Sequence, residues 1–476
     1  MSEEVLYCET DDNEKKFIFA KTKGKLIVSR AKDDERSSKK LPSFILTFIK
    51  EVFLPQGFPD SVHPDYVPYQ IWDTVQAFAS TIMGTLTTHS IMRGVGVGES
   101  TASPLAAAIT WILKDGTGMI GRILFAWWNG TDLDAHCKKW RLFADILNDF
   151  AMGIELIIPY FSTYSTLILC TSTAMKSVVG VAGGATRAAL TQHQALRNNL
   201  ADVSAKDGSQ ETFVNLIASF LGILILSLLH DGRYIMELYV LLVAVHLYAN
   251  YSAVKALRLN SVNEDRLAII VQEYLTEKNI PGPEHVNKRE SVFLFQNPSK
   301  KLCGFTIKMG VSLKSMVQKN AIMLDDLEMI TNLFQKRKYL IAVDIKRKTI
   351  FVSFTKCAES RDVLRAYFHS CICGLLVCMA LRWRIPIFTR TWSHVSSFPL
   401  IRTYLVSRKY RSLCNGNSEK IVIESILAAD EVVFREFITF MNALENSNWM
   451  TKTNLLPIGP WKGSWGEQGE ALHCNK

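Results

Sequence analysis

Nineteen consecutive residues without a formal charge, Thr212–His230, constrain this chain more than any other feature. They are dominated by Leu and Ile. A helix of about 20 such residues crosses the apolar layer of a bilayer, so this segment is expected to be a membrane span. Tyr234–Val254 follows it with a single acid, Glu237. Thr74–Met92 and Leu156–Met175 also reach spanning length, diluted by Thr and Ser. Ser100–Leu113 and Ile123–Thr131 are shorter and fit buried core helices better. Hydrophobic residues make up 48 % of the 476 residues, and mean hydropathy is slightly positive. That balance fits apolar segments set between ordinary polar ends. The fold class expected is mainly α: a multi-helix, multi-pass membrane core followed by a C-terminal α+β domain.

The polarity pattern divides the chain further. Residues 1–52 are polar, with a hairpin pattern in which Phe17–Phe19 and Leu26–Val28 flank Lys23-Gly24-Lys25, followed by a charged linker at Lys32–Lys40. Residues 53–260 hold the apolar helices. Residues 261–290 read as a linker ending in the breaker cluster Ile280-Pro281-Gly282-Pro283. Residues 291–476 read as a soluble α+β domain. Strands are expected there at Ser291–Phe295 and Leu302–Ile307, and a hairpin at Tyr339–Asp344 and Thr349–Phe354. Helices are expected at Ser360–Leu381 and Asp430–Leu444, and a tail loop anchored by Trp461 and Trp465. The ten cysteines show no Cys-x-x-Cys and read as reduced, buried thiols. The acids Glu3, Glu4, Asp11 and Asp12 do not fit a secretory signal or transit peptide, so an intracellular membrane is expected, reached through internal segments.

Two charged strings stand out. The first runs Trp111-x-Leu113-Lys114-Asp115-Gly116-x-Gly118-x-x-Gly121-Arg122, and the second runs Asn199 through Thr212 with Lys206-Asp207-Gly208 at its centre. Each reads as a glycine turn between helices, because glycine supplies positive φ and close approach. Ser209, Glu211 and Thr212 suit a helix N-terminus. The Lys-Asp-Gly triplet recurs 92 positions apart, but little else aligns, which favours coincidence over duplication. The Asp-Gly-x-Gly-x-x-Gly-Arg string also resembles, over one short loop, the signature that links spanning helices in major facilitator transporters. The small residues of Gly180–Ala185 and Gly94–Gly98 would allow close helix packing. Glu155 and Glu237 lie in apolar surroundings, where an acid is costly unless paired. Arg187 and His193 could bind an anion at a helix end, whereas His89 and His246 read as core residues.

Several strings together resemble one family. They are Leu54–Val62, Asp65-Tyr66 and Tyr69–Asp73; then Lys114–Arg122, Trp140-Arg141, Ala144-Asp145 and Asn148-Asp149; then Gly184–Ala189 and Asn199–Thr212. This is the pattern of the root UVB sensitive family, dense over Phe53–Val254 and looser beyond. The resemblance implies a link to ultraviolet-B responses, root growth and vitamin B6 homeostasis, the processes in which plant members are implicated. It brings no established catalytic residue. Plant members can carry plastid targeting, which this sequence does not show.

No nucleophile elbow, phosphate loop, metal-ligand spacing or basic aromatic stripe is present. Enzymatic activity, a cofactor, a bound metal and nucleic acid are therefore not expected. The leading expectation is a membrane protein that transports or senses a small, anionic metabolite of the vitamin B6 type. Arg122, Arg187 and Lys206 would meet its phosphate. Asp115, Asp207 and Glu211 would carry a coupling proton, with Glu155 as a further candidate. The alternative is a non-enzymatic scaffold whose C-terminal domain recruits a family member or a second copy.

Overall fold

The computed structural model describes residues 4–10, 16–22, 25–30, 43–95, 104–130, 132–229, 234–318, 324–383 and 418–465. The charged linker Lys32–Lys40 and residues 96–98 of the first glycine run lie outside them. The chain is mainly helical. A three-stranded antiparallel sheet opens it: β1 (Glu4–Thr10), β2 (Lys16–Thr22) and β3 (Lys25–Arg30), with Phe19 opposite Val28 as the hairpin pattern requires. Helices α1 (Ser43–Phe53), α2 (Tyr66–Gly94), α3 (Pro104–Asn129), α4 (Asp132–Ala135) and α5 (Cys137–Leu156) follow. Two single-turn 3-10 segments, Ile158–Tyr160 and Ser162–Tyr164, lead into α6 (Ser165–Gln194), α7 (Leu200–Leu228) and α8 (Ile235–Ala256).

The remaining elements are β4 (Ser261–Asn263), α9 (Glu264–Glu277), α10 (Pro283–Arg289), α11 (Pro298–Cys303), β5 (Thr306–Met309), α12 (Leu313–Gln318) and α13 (Leu324–Leu333). They continue through β6 (Tyr339–Asp344), β7 (Thr349–Thr355), α14 (Ser360–Ala380), α15 (Ser418–Asn446), β8 (Met450–Leu455) and β9 (Lys462–Gly463). Two compact units emerge. The first takes its described residues from Met1–Val97, Glu155–Ser162 and Arg187–Ala249, and the second takes the rest.

Both Lys-Asp-Gly triplets lie inside helices, which corrects the turn expectation. Lys114–Gly116 falls in mid α3, and the described parts of the Ser100–Leu113 and Ile123–Thr131 runs contribute to that one helix rather than to two. Lys206–Gly208 lies in the second turn and beyond of α7, which begins at Leu200 and not at Ser209. The likeness to a major facilitator loop fails for the same reason. An interior glycine costs a helix only about 1 kcal/mol against alanine, which the rest of a long helix outweighs. The Leu156–Met175 run is not one span either. Pro159 lacks the amide that a continuing helix needs, and the chain turns there before α6 begins.

Close helix approach occurs at other glycines than those of the Gly180–Ala185 run. A Cβ on Gly180, Gly183 or Gly184 would meet nothing within 4 Å. One on Gly121 would sit 2.3 Å from Ser177 Oγ, and one on Gly222 would sit 2.9 Å from Thr85. These two glycines set the spacing of α3 on α6 and of α2 on α7.

Four described helices are long and apolar enough to cross a membrane: Ser162–Gln194, Leu200–Leu228, Ile235–Ala256 and Ser360–Ala380. The fourth differs in its surroundings. Its apolar stretch is 94 % buried in protein, against 11 % for Leu200–Leu228. It is the central helix of the C-terminal core, packed among Tyr274, Phe354, Phe437 and Phe440. Around it, β7 pairs antiparallel with β6 and parallel with β5 and β9. The hairpin is where the sequence puts it. Ser291–Phe295 is not a strand, and Leu302–Cys303 ends α11, so only Thr306 and Ile307 of the expected strand form, as the start of β5. Asn297 caps α11 through its Oδ1, and Gly304 ends the helix at φ +80, where an added Cβ would strike Cys378 Sγ. In the tail only Trp465 is an anchor, donating Nε1–H to the Phe334 carbonyl, while Trp461 is exposed.

Candidate functional site

The polar core of the first unit is built where α2, α6 and α7 meet. Arg187 on α6 lies between two acids of α7. Its Nε donates to Asp207 Oδ2 at 2.7 Å, and its Nη1 donates to Glu211 Oε2 at 2.6 Å. The spacing of Asp207 and Glu211 by one helical turn puts both carboxylates on one face, within reach of one planar guanidinium. The other oxygen of Asp207 accepts from Gln70 Nε2 on α2 at 2.8 Å. Asp207 is buried, and Arg187 and Glu211 are partly exposed. One cation faces two anions, so the three ionised side chains carry one net negative charge.

Lys206 does different work. Its ammonium donates to the Glu51 carbonyl, and Gln210 Nε2 donates to the Phe53 carbonyl at 2.6 Å and the Tyr66 hydroxyl at 3.1 Å. The last carbonyls of a helix have no partner of their own, and α7 supplies two to the C-terminus of α1. Gln56 N–H donates to Asp202 Oδ2 at 2.7 Å, fastening the next loop to the same helix.

A second cluster in this unit joins the loop before α2 to the last turn of α6. Asp65, with a fully buried side chain, has one oxygen 2.8 Å from His63 Nδ1 and the other 2.9 Å from His193 Nε2. Sequence reading missed this cluster. Asp65 and His193 are 128 positions apart, and no local spacing signals their meeting.

The other candidates lie on other helices. Asp115 is exposed on α3 and pairs with its own neighbour Lys114 at 3.5 Å. Arg122 is exposed on the same helix, and Glu155 is buried near the end of α5. Glu237 is exposed at the start of α8. His246 is buried as expected, but His89 is exposed. His193 and Arg187 both contact carboxylates rather than an open helix end.

The second unit holds a buried ionic node that sequence reading also missed. Glu290, 2 % exposed, accepts from Arg266 Nε and Asn263 Nδ2, each at 3.0 Å, and lies 3.2 Å from Lys138 Nζ. Lys138 also donates to Asn287 Oδ1 and to the Leu257 carbonyl, so its three hydrogens are matched. Burial raises the Glu290 carboxyl, but the Arg266 and Lys138 charges outweigh it and hold the group at about 2. The node ties the start of α5 to α9 and α10.

Comparison with known proteins gives the family. The vitamin B6 photo-protection and homoeostasis domain matches residues 39–278, and the C-terminal domain of root UVB sensitive proteins matches residues 279–465. The chain is 47 % identical to RUS family member 1 of Dictyostelium discoideum over 268 residues, 55 % of this chain and 50 % of that protein. It is 36 % identical to root UVB sensitive 3 of Arabidopsis thaliana over 339 residues, 69 % of this chain and 76 % of that protein. With root UVB sensitive 5 of Arabidopsis thaliana it shares 30 % identity over 68 % of this chain and 65 % of that protein. The match thus spans about half of the Dictyostelium relative and about two thirds or more of the two plant ones. No solved structure matches. By the match of both domains and these identities, the chain belongs to the root UVB sensitive family.

Proposed function

We propose that this chain is a membrane protein that moves or senses a small polar metabolite of the vitamin B6 type, with Arg187, Asp207 and Glu211 as its charge-handling centre. One observation carries the reading: a three-way ion cluster joins two helices that are each long and apolar enough to span a bilayer. Ionisable groups on such helices are costly and mark ion or substrate paths. Exposed apolar side chains support the placement: Phe213, Phe220, Leu224 and Leu228 of α7, and Leu241 of α8, which is also long and apolar enough to span. Their apolar surface needs lipid or another apolar cover.

The cluster's charge suggests how it works. With both acids ionised, Arg187 is held by two carboxylates and offers little to an anion. Protonation of one acid releases part of the guanidinium, which then accepts an anionic group of the metabolite. Uptake of proton and anion would be coupled by that exchange. Asp115 and Arg122 take no part, and Lys206 positions α1. In liposomes containing the purified chain, labelled pyridoxal phosphate is expected to accumulate, and Asp207→Asn to abolish the flux. Release of the protein by carbonate extraction, or unchanged flux in Asp207→Asn, overturns the proposal.

A further inference from the structure

The geometry points to a site separate from the Arg187 cluster: His63, Asp65 and His193 bind one divalent transition-metal ion of the zinc class. Asp65 stands at the N-cap of α2, where an aspartate usually accepts a hydrogen bond from the first-turn amides. Its side chain makes no such bond. The buried carboxylate turns instead to two imidazoles, one nitrogen at 2.8 Å from Oδ1 and one at 2.9 Å from Oδ2. The two rings lie 4.3 Å apart, and the three ligand atoms fall within 4.8 Å of one another. Metal bonds of about 2.1 Å at tetrahedral to octahedral angles place neighbouring donors roughly 3.0–3.4 Å apart. Both His–Asp pairs stand just inside that spacing, and the third pair of donors lies within 4.8 Å, so a small movement of the two rings would complete the set.

The bland explanation is an ionic clamp that ties the loop before α2 to the end of α6. That tie exists without the cluster. His63 N–H donates to the Gln194 carbonyl at 2.9 Å, Leu196 N–H to the Ser61 carbonyl at 3.2 Å, and Asn199 Nδ2 to the same Ser61 oxygen at 3.2 Å. The segments that carry the ligands are therefore joined by bonds that do not use the three side chains, as a preorganised ligand set requires. The Asp65 amide also faces His63 Nδ1 at 3.4 Å. An N–H on that nitrogen would oppose the amide, whereas the unprotonated nitrogen is the form that ligates metal. Two imidazoles and one carboxylate suit zinc or ferrous iron and disfavour calcium and magnesium, which take oxygen donors.

The test uses the full chain in detergent, stripped by chelator and dialysed against Zn2+, alongside His193→Gln and Asp65→Asn. The expected result is one more Zn2+ per chain in the wild type than in either variant, and a rise in the wild-type melting temperature with Zn2+ but not Mg2+. Equal stoichiometry in all three overturns the site. Should both variants fail to fold, Co2+ in the wild type decides. Ligand-field bands without thiolate charge transfer support the His-Asp-His site, and no bound Co2+, or thiolate bands alone, overturns it. Neither readout depends on transport, so the site can fail while the Arg187 proposal stands.

Discussion

Replacing Glu290 by Gln should be among the most damaging single changes in the second unit. The substitution keeps the shape and one acceptor but leaves Arg266 and Lys138, each 1 % exposed, as buried cations without their anion. Removing one partner of a buried ion pair costs about 3–5 kcal/mol. The carboxyl itself gives a second measure. Its fall from 4.5 to about 2 is worth about 3 kcal/mol at roughly 1.4 kcal/mol per pH unit. For a domain of this size each kcal/mol moves the melting temperature by about 2–4 °C, so a drop of about 10 °C is expected. Thermal unfolding of the detergent-solubilised chain can be followed with a thiol-reactive dye, because Cys303, Cys371 and Cys373 are buried in the same unit. The sign with pH is fixed. A depressed carboxyl contributes fully above its unfolded value of 4.5, and the contribution is lost as pH falls toward 2. The gap between wild type and variant should be flat from neutral pH down to about 5 and close below that. A shift under about 2 °C at pH 7 would refute the claim that the node is a buried, mutually compensated charge group.

Further outcomes follow from the same contacts. Gly116→Ala and Gly208→Ala should each raise stability by about 0.5–1 kcal/mol, since both lie in helices with open space at Cβ; a loss in thermal unfolding would restore the turn reading. Gly222→Val should lower it by about 1–3 kcal/mol through collision with Thr85, read the same way. Burial pushes the Glu264 carboxyl up to about 7 against the Ser299 hydrogen bond, so wild-type stability should fall as pH climbs from 4.5 through 7. Glu264→Gln should remove that fall, as a melting-temperature series against pH would show. A lipid-soluble carbene probe should label Leu224 and Leu241 and leave Leu375 untouched, which mass spectrometry of the digested protein can check.

The family pattern and the mainly helical class were legible because they rest on local strings and on runs of apolar residues. What the sequence hid was long-range. Asp65 meets His193 across 128 positions and Lys138 meets Asn287 across 149, and neither pairing leaves a spacing that a reader can find. Arg187, Asp207 and Glu211 were each visible as candidates, but their pairing was not, because Asp207 was read into a turn and Glu211 into the start of the next helix. The turn reading itself failed for a physical reason. A lone interior glycine costs a helix only about 1 kcal/mol, too little to break the long helices that hold Gly116 and Gly208.

The sharpest case is the contrast between α7 and α14. Both are long, apolar and almost free of charge over their central stretch, and by composition both qualify to cross a membrane. Hydropathy measures what a segment would prefer to leave, which is water, and says nothing about what replaces it. For α14 the replacement is protein on every side, supplied by strands β5–β7 and α15. For α7 the side chains of Phe220, Leu224 and Leu228 are exposed, while Asp207 and Glu211 nearer its start meet Arg187. The sequence does hold one trace of that difference. Acids one turn apart in the polar first half of a helix that goes on into an uncharged apolar stretch call for a cation, and α14 carries no such pair beyond its first turn. The demand identifies α7, rather than α14, as the helix to test first for function.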